Sequence, residues 1–365
     1  MKAKTVFQKT SEGLGAQRVA LLTLFVLVIG GHFLRPHTAQ AAWQATACQL
    51  PPLQKTGSLA VASATDVIAT DFNHDGKQDV LVLRTSPAQS QTYFGDGAGG
   101  FTLAASANGF SVLRNDEILV GEFNGDGFPD LYVRRDDGGN NRQVQVYIND
   151  GQGRFTLGAE ITARVLSFLI GDVNNDGLDD VLAATSSNYT VYLANANRTF
   201  TRLPNDFGSG QSALLLDLNG DGRLDFVNVI RGAGNVGTMF IWQGNGNGTF
   251  QQMDFLSLAD YVQLRKAADL NRDGRADIVA TTTCSGTGTP KLYHLLNNGR
   301  GNFTARSFDL PGAPCDVAVK GVQDFTSDGF PEVALSNRRI ALNDGQGGVC
   351  SPERSVLQQR FPADN

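Results

Sequence analysis

The chain has 365 residues, with 30 Lys and Arg against 36 Asp and Glu and a formal net charge of -6. Glycine is dense, 42 residues against 12 Pro, and the 41% hydrophobic content suffices for a folded core. The acidic balance argues against a nucleic-acid binder, which needs clustered Lys and Arg to neutralise phosphates. Length alone allows two or three domains.

Residues 1–41 read as an export segment. Lys2, Lys4, Lys9 and Arg18 form a basic region, and an apolar run at 19–31 follows it. That run is shorter than the about 20 residues a membrane span needs. Ala39-Gln40-Ala41 then supplies a small-residue cleavage pattern. An uncleaved anchor is the alternative. Removing this segment takes away five Lys/Arg and one Glu, leaving 25 basic and 35 acidic side chains, a net of -10. It also leaves only His74 and His294, which excludes a site built on several histidines. The remainder is expected to be secreted, periplasmic or on the cell surface, with no membrane span.

From residue 66 onward the chain is one unit written six times. DFNHDGKQD starts at Asp71, EFNGDGFPD at Glu122, DVNNDGLDD at Asp172, DLNGDGRLD at Asp217, DLNRDGRAD at Asp269 and DFTSDGFPE at Asp324. The spacings are 51, 50, 45, 52 and 55 residues. A second signature trails each: FGDGAGGF, INDGQGRF, ANANRTF, QGNGNGTF, LNNGRGNF and LNDGQGGV. Short runs rich in β-branched residues flank both signatures, such as VIAT and VLVLR around the first loop. Each repeat therefore reads as four strands, A to D, joined by hairpins. About 50 residues per four-stranded unit is close to the period of propeller blades. No helical periodicity supports a solenoid.

The nine-residue loops are written for a hard cation. Calcium takes six to eight oxygen ligands. Positions 1, 3, 5 and 9 supply side-chain oxygens, and position 7 is placed to give a backbone carbonyl. The expected ligands are Asp71, Asn73, Asp75, Lys77 and Asp79 in the first loop, and Glu122, Asn124, Asp126, Phe128 and Asp130 in the second. The third offers Asp172, Asn174, Asp176, Leu178 and Asp180, and the fourth Asp217, Asn219, Asp221, Arg223 and Asp225. The fifth offers Asp269, Asn271, Asp273, Arg275 and Asp277, and the sixth Asp324, Thr326, Asp328, Phe330 and Glu332. Positions 1, 5 and 9 hold 18 of the 35 mature acids. Without cations, three carboxylates per loop repel each other. Metal-free Asx-rich turns are the bland alternative. EF-hands fail because their twelfth position needs Glu, and here it is Val82 or Val133. Magnesium keeps more waters, and zinc wants His or Cys. Up to six calcium ions are expected.

On these two motifs the chain resembles the FG-GAP/VCBS repeat family, found in integrin α-subunit propellers and many exported bacterial proteins. The resemblance covers about residues 60–349. It implies an all-β fold, a single β-propeller, with calcium in the A–B hairpin of each blade. Six four-stranded blades are expected, from 66 to 349. Residues 42–65 form an N-terminal segment, and 350–365 a tail. Residues 43–65 and 350–365 leave room for a degenerate seventh blade, although neither carries a signature. With six blades, 57–63 (GSLAVAS) is expected to pair with the last blade and close the ring. The third repeat has a shortened turn at 195–199. The sixth departs at Thr326, Glu332 and Val349, so its site is expected to empty first as calcium falls.

Alternation puts the A–B loops and C–D turns at one end of each blade, and the B–C and D–A loops at the other. The variable loops at that second end, 134–142, 232–237 and 114–117, are the expected contact surface for a glycan or protein ligand. The recurring Phe101, Phe155, Phe200, Phe250 and Phe303 are expected in the blade core rather than as sugar platforms. Cys48–Cys350 and Cys284–Cys315 are the favoured disulfides. The expected function is a monomeric, non-enzymatic binding or adhesion module. The alternatives are a polysaccharide-active enzyme, which needs a fixed carboxylate pair, and a structural part of a cell-envelope assembly.

Overall fold

The computed structural model describes residues 59, 61, 64–85, 89–104, 110–113, 116–136, 142–210, 212–282, 289–299, 301–315, 317–337 and 339–350. The export segment, its cleavage site and the tail from 351 lie outside them. Of the expected closing strand at 57–63, only Leu59 and Val61 are described, and neither is in a strand.

Blade 1 is β1 (Asp66–Thr70), β2 (Asp79–Leu83), β3 (Gln91–Gly95) and β4 (Phe101–Leu103). Blade 2 is β5 (Glu117–Gly121), β6 (Asp130–Arg134), β7 (Val144–Asn149) and β8 (Phe155–Ile161). Blade 3 is β9 (Ser167–Gly171), β10 (Asp180–Ala184), β11 (Tyr189–Asn195) and β12 (Thr199–Arg202). Blade 4 is β13 (Ser212–Leu216), β14 (Asp225–Arg231), β15 (Gly237–Gly244) and β16 (Phe250–Leu258). Blade 5 is β17 (Val262–Ala268), β18 (Asp277–Thr282), β19 (Lys291–Asn297) and β20 (Phe303–Asp309). Blade 6 is β21 (Val319–Gln323), β22 (Glu332–Leu335) and β23 (Ile340–Ala341).

Each blade is an antiparallel meander in chain order, and the fold is an all-β, six-bladed β-propeller. In the sixth blade the described residues form a three-stranded sheet followed by a bridge between Asn343 and Val349. Val349 stands where the other blades have Phe at the start of their fourth strand. No helix among the described residues is long and apolar enough to cross a membrane.

The chain divides into two compact units, one holding blades 1–3 and the other blades 4–6. Within each unit the cores sit between neighbouring sheets. The B strands explain why. They are buried along their whole length in β2, β6, β10 and β18, and successive residues face opposite sides. In β6, Leu131 and Val133 enter the cluster shared with blade 1, and Tyr132 enters the cluster shared with blade 3. In β18, Ile278 and Ala280 face blade 4, and Val279 faces blade 6. This two-sided burial is why the B strands read as unbroken apolar runs.

The turn phenylalanines also fill these joints. Phe155, 1% exposed, meets Phe72 of blade 1 edge-on at 5.5 Å. Phe200 meets Phe123 of blade 2 at 5.1 Å. Phe303 belongs to the cluster shared with blade 4. His294 is structural too: it is 1% exposed, and its Nδ1 lies 3.1 Å from the Gly347 carbonyl of blade 6. Burial pushes its pKa down to about 4. Thr92, at the equivalent place in blade 1, donates its hydroxyl to the Gly153 carbonyl of blade 2 at 2.8 Å.

The third C–D turn is not shortened. Ala194 pairs with Phe200 as Asn149 pairs with Phe155, so the spacing is unchanged. One further pair, Asn195 with Thr199, extends the ladder and tightens the hairpin. Cys315 and Cys350 are in the disulfide-bonded form. Cys48 and Cys284 lie outside the described residues, and with them both expected pairings.

Position 6 of every loop is a glycine at positive φ, for example +91° at Gly177, where an added Cβ would meet nothing within 4 Å. The cost of a side chain there is therefore conformational alone. Gly177→Ala is expected to destabilise the protein by roughly 1–2 kcal/mol, read from denaturant unfolding in excess chelator. An unchanged midpoint would contradict this account of the loop.

Candidate metal centre

Each loop joins strand A to strand B through a repeated set of backbone bonds. Position 4 is left-handed in all six: His74, Gly125, Asn175, Gly220, Arg272 and Ser327 have φ between 60° and 78°. Position 1 accepts the position 6 N–H in every loop, at 2.9 Å from Gly76 to Asp71 and 2.7 Å from Gly329 to Asp324. Position 5 accepts the position 7 N–H, at 2.9 Å from Lys77 to Asp75 and 2.8 Å from Phe330 to Asp328. The bonds of Phe128, Leu178, Arg223 and Arg275 to Asp126, Asp176, Asp221 and Asp273 follow the same pattern.

Position 9 differs from the others in burial. Asp79, Asp130, Asp180 and Asp277 are 0% exposed, and Asp225 is 2% exposed. One carboxylate oxygen takes the N–H of position 2; the other takes an N–H from strand C. For Asp277 these are Leu270 at 2.9 Å and Asn297 at 2.7 Å. For Asp130 they are Phe123 at 3.0 Å and Asn149 at 2.8 Å. The sequence pattern presents this residue as one ligand among five; the structure makes it the bolt between loop and sheet. Burial pushes Asp130 and Asp180 up to about 7 and Asp277 up to about 6, against the pull of the two N–H groups.

The six loops do not gather their carboxylates equally. Among the described residues, the set of acidic side chains with ligand atoms within 4.8 Å of one another is Asp324, Asp328 and Glu332, in the sixth loop. The two departures of that loop produce this. In the second to fifth loops the position 3 Asn donates its amide to the position 5 carboxylate, as Asn124 does to Asp126 at 2.8 Å and Asn271 to Asp273 at 3.1 Å. Thr326 has no amide to give, and Asp328 Oδ2 is buried without a partner. Glu332 directs Oε2 to the N–H groups of Phe325 and Thr326, at 2.7 and 3.2 Å. Its Oε1 is buried without a partner. Burial pushes Glu332 up to about 7, with Asp328 and Asp324 adding to the rise. Two orphaned oxygens beside a third carboxylate form a hard-oxygen donor set that fits a divalent cation.

A second joint escaped the sequence reading. Asn149, Asn297 and Asn343, at the start of their C–D turns, are buried and donate to the position 2 carbonyl of the preceding blade's loop. Their partners are Phe72, Leu218 and Leu270, each at 2.8 Å. Blade 3 has Ala194 at this place. There, Asp179 Oδ2 instead accepts the Glu122 N–H at 2.7 Å, and Tyr132 donates to the Asp179 carbonyl at 2.5 Å.

The division of labour within a loop is testable. Asp277→Ala strands two buried N–H groups and is expected to cost roughly 2–5 kcal/mol in excess chelator. Asp273→Ala, at an exposed position, is expected to cost under about 1 kcal/mol under the same conditions. Equal losses in chemical denaturation would refute the distinction.

No curated protein matches the chain in sequence. Among solved structures, a provisionally assigned 6-phosphogluconolactonase from Bacteroides fragilis aligns at TM-score 0.52 and 14% identity, covering 82% of this chain and 86% of that one. An Agrocybe aegerita lectin, described for its recognition of non-reducing terminal N-acetylglucosamine, aligns at TM-score 0.49 and 20% identity. That alignment covers 67% of this chain and spans 65% of the lectin. These likenesses concern fold. The FG-GAP-like repeat model matches residues 71–133, 172–228, 217–280 and 269–335, more than half of the chain. With the loop and turn geometry described above, this places the chain in the FG-GAP-like repeat family.

Proposed function

We propose that this chain is an exported, calcium-loaded propeller that acts as a non-enzymatic binding module for a glycan or protein ligand. The observation that carries the calcium reading is the pair of orphaned oxygens, Asp328 Oδ2 and Glu332 Oε1, beside Asp324. Calcium accepts irregular, oxygen-rich sites of this kind. We read the sixth loop, with its oxygens gathered, as the tightest site, a reading opposite to the expectation that it empties first. The remaining loops supply weaker sites with the ligand sets named above.

The binding surface is assigned to the B–C and D–A loops of blade 2. Arg134 pairs with Glu117 at 3.0 Å, Arg135 with Asp116 at 2.8 Å, and Arg142 with Asp136 at 3.3 Å. Asp116 also accepts the N–H groups of Leu113 and Asp136. These bonds tie the described bases of the two loops together, which lowers the entropy lost on binding a partner. The acids at positions 1, 5 and 9 are engaged by backbone N–H groups, which favours binding over hydrolysis as their purpose. The pulldown partners of the exported protein, with and without Asp116→Ala, test this surface. Turnover of a polysaccharide by the purified protein would favour the enzyme reading instead.

Each occupied site adds about 1.4 kcal/mol at ten times its dissociation constant. Chelation is therefore expected to lower the melting temperature. Asp328→Asn is expected to remove the tightest phase of a calcium titration, and Asp176→Asn in the third loop to leave it in place. The opposite pattern would refute the ranking. Non-reducing peptide mapping is expected to show Cys284 linked to Cys315 and Cys48 to Cys350. Any other pairing of Cys315 or Cys350 would overturn that assignment.

A further inference from the structure

Blade 3 breaks the repeat at one turn position. Gly99, Gly153, Gly248, Gly301 and Gly347 occupy it in the other blades, all at positive φ. Blade 3 has Arg198 there, at φ 64°. A left-handed conformation costs an ordinary residue about 1–2 kcal/mol, and such costs concentrate where a side chain has a task.

The glycine normally serves close packing between blades. A Cβ on Gly153 would come within 2.9 Å of Ala104 and 3.1 Å of Phe94 in blade 1. Arg198 carries a side chain at this position, beside the outer strands β8 and β12 of blades 2 and 3. A cleft of about 570 Å³ lies there, between the end of β8 and the hairpin of β11 and β12. That volume is in the range of small-ligand sites, about 300–1,000 Å³.

The lining combines charge with an aromatic wall. Arg198 is exposed and has no ion pair among the described residues. Its turn is pinned: Asn195 donates to the Thr199 carbonyl and hydroxyl at 3.1 Å, and Thr199 donates to Asn197 at 2.6 Å. Arg202 also lines the cleft but is held by Asp206 at 2.9 Å. Tyr192 and Phe200 are half-buried, with Phe200 backed by Phe123. The Tyr192 hydroxyl makes no hydrogen bond among the described residues. Glu160, oriented by Gln145, offers acceptors across the cleft.

We propose that this cleft binds a uronic-acid residue of an acidic glycan. Arg198 takes the carboxylate as a two-pronged donor. Tyr192 and Phe200 cover the apolar sugar face, and the Tyr192 hydroxyl and Glu160 meet ring hydroxyls. The site shares no residue with the charged loops of blade 2, so neither assignment falls with the other.

The test is calorimetric titration of the full chain with methyl glucuronide and methyl glucoside, in calcium. The glucuronide is expected to bind at least tenfold more tightly than the glucoside. Arg198→Gly restores the residue used by the other five blades and relieves the backbone. It is expected to melt no lower than the parent and to lose at least tenfold in glucuronide affinity. Tyr192→Leu is expected to weaken both sugars. The proposal is overturned if glucuronide does not bind at millimolar concentration, if glucoside binds equally, or if Arg198→Gly leaves affinity unchanged.

Discussion

The structure depends on a buried carboxylate used as a two-sided hydrogen-bond acceptor. At position 9 of the first five loops, one oxygen holds the loop and the other holds strand C. Without it, a nine-residue loop with two left-handed positions would have no fixed attachment to its sheet. The same bond sets the height of strand C against strand B, and so the place where the C–D turn emerges. A charge in that position is costly unless its donors are in place. The two N–H groups at 2.7–2.9 Å in blade 5 are what make it tolerable.

Position 2 carries the order outward from that bolt. Its N–H is held by position 9 within the blade, and its carbonyl is taken in three joints by an asparagine from the next blade. Its side chain, Phe72 in blade 1 or Phe123 in blade 2, receives the next turn phenylalanine. One residue thus links loop, sheet and neighbouring blade. The two oxygens set free in the sixth loop are the converse: where Thr326 and Glu332 alter the bonding, unpaired acceptors collect.

Much of this was legible because repetition amplifies signal. The Asp and Asn positions, the glycine at position 6 and the apolar strands recur in each unit, and the fold and family followed from them. Position 4 was not legible, since His74, Gly125, Asn175, Gly220, Arg272 and Ser327 share a backbone angle and no side-chain chemistry. Position 2 passed as an ordinary apolar residue because its role lies in a carbonyl and in contact with a residue about 75 positions away. The sixth loop was only partly legible, for a different reason. Its changes read as damage to a ligand set, whereas their effect runs through hydrogen bonds that the altered side chains no longer make. Arg198 was visible as an irregular turn, but only the structure places it on a cleft with Tyr192, Phe200 and Glu160.

The placement of the apolar clusters between blades also bears on synthesis. A sheet that has just formed has one interface complete and one bare, awaiting about 50 residues still to emerge. Spatial order follows chain order within each unit, so each new repeat covers the face left by the last. The vulnerable species is therefore the partial array with an uncovered end, open to misassembly with another chain's blade. A protein built this way is best completed in one pass, with each repeat following promptly on the last.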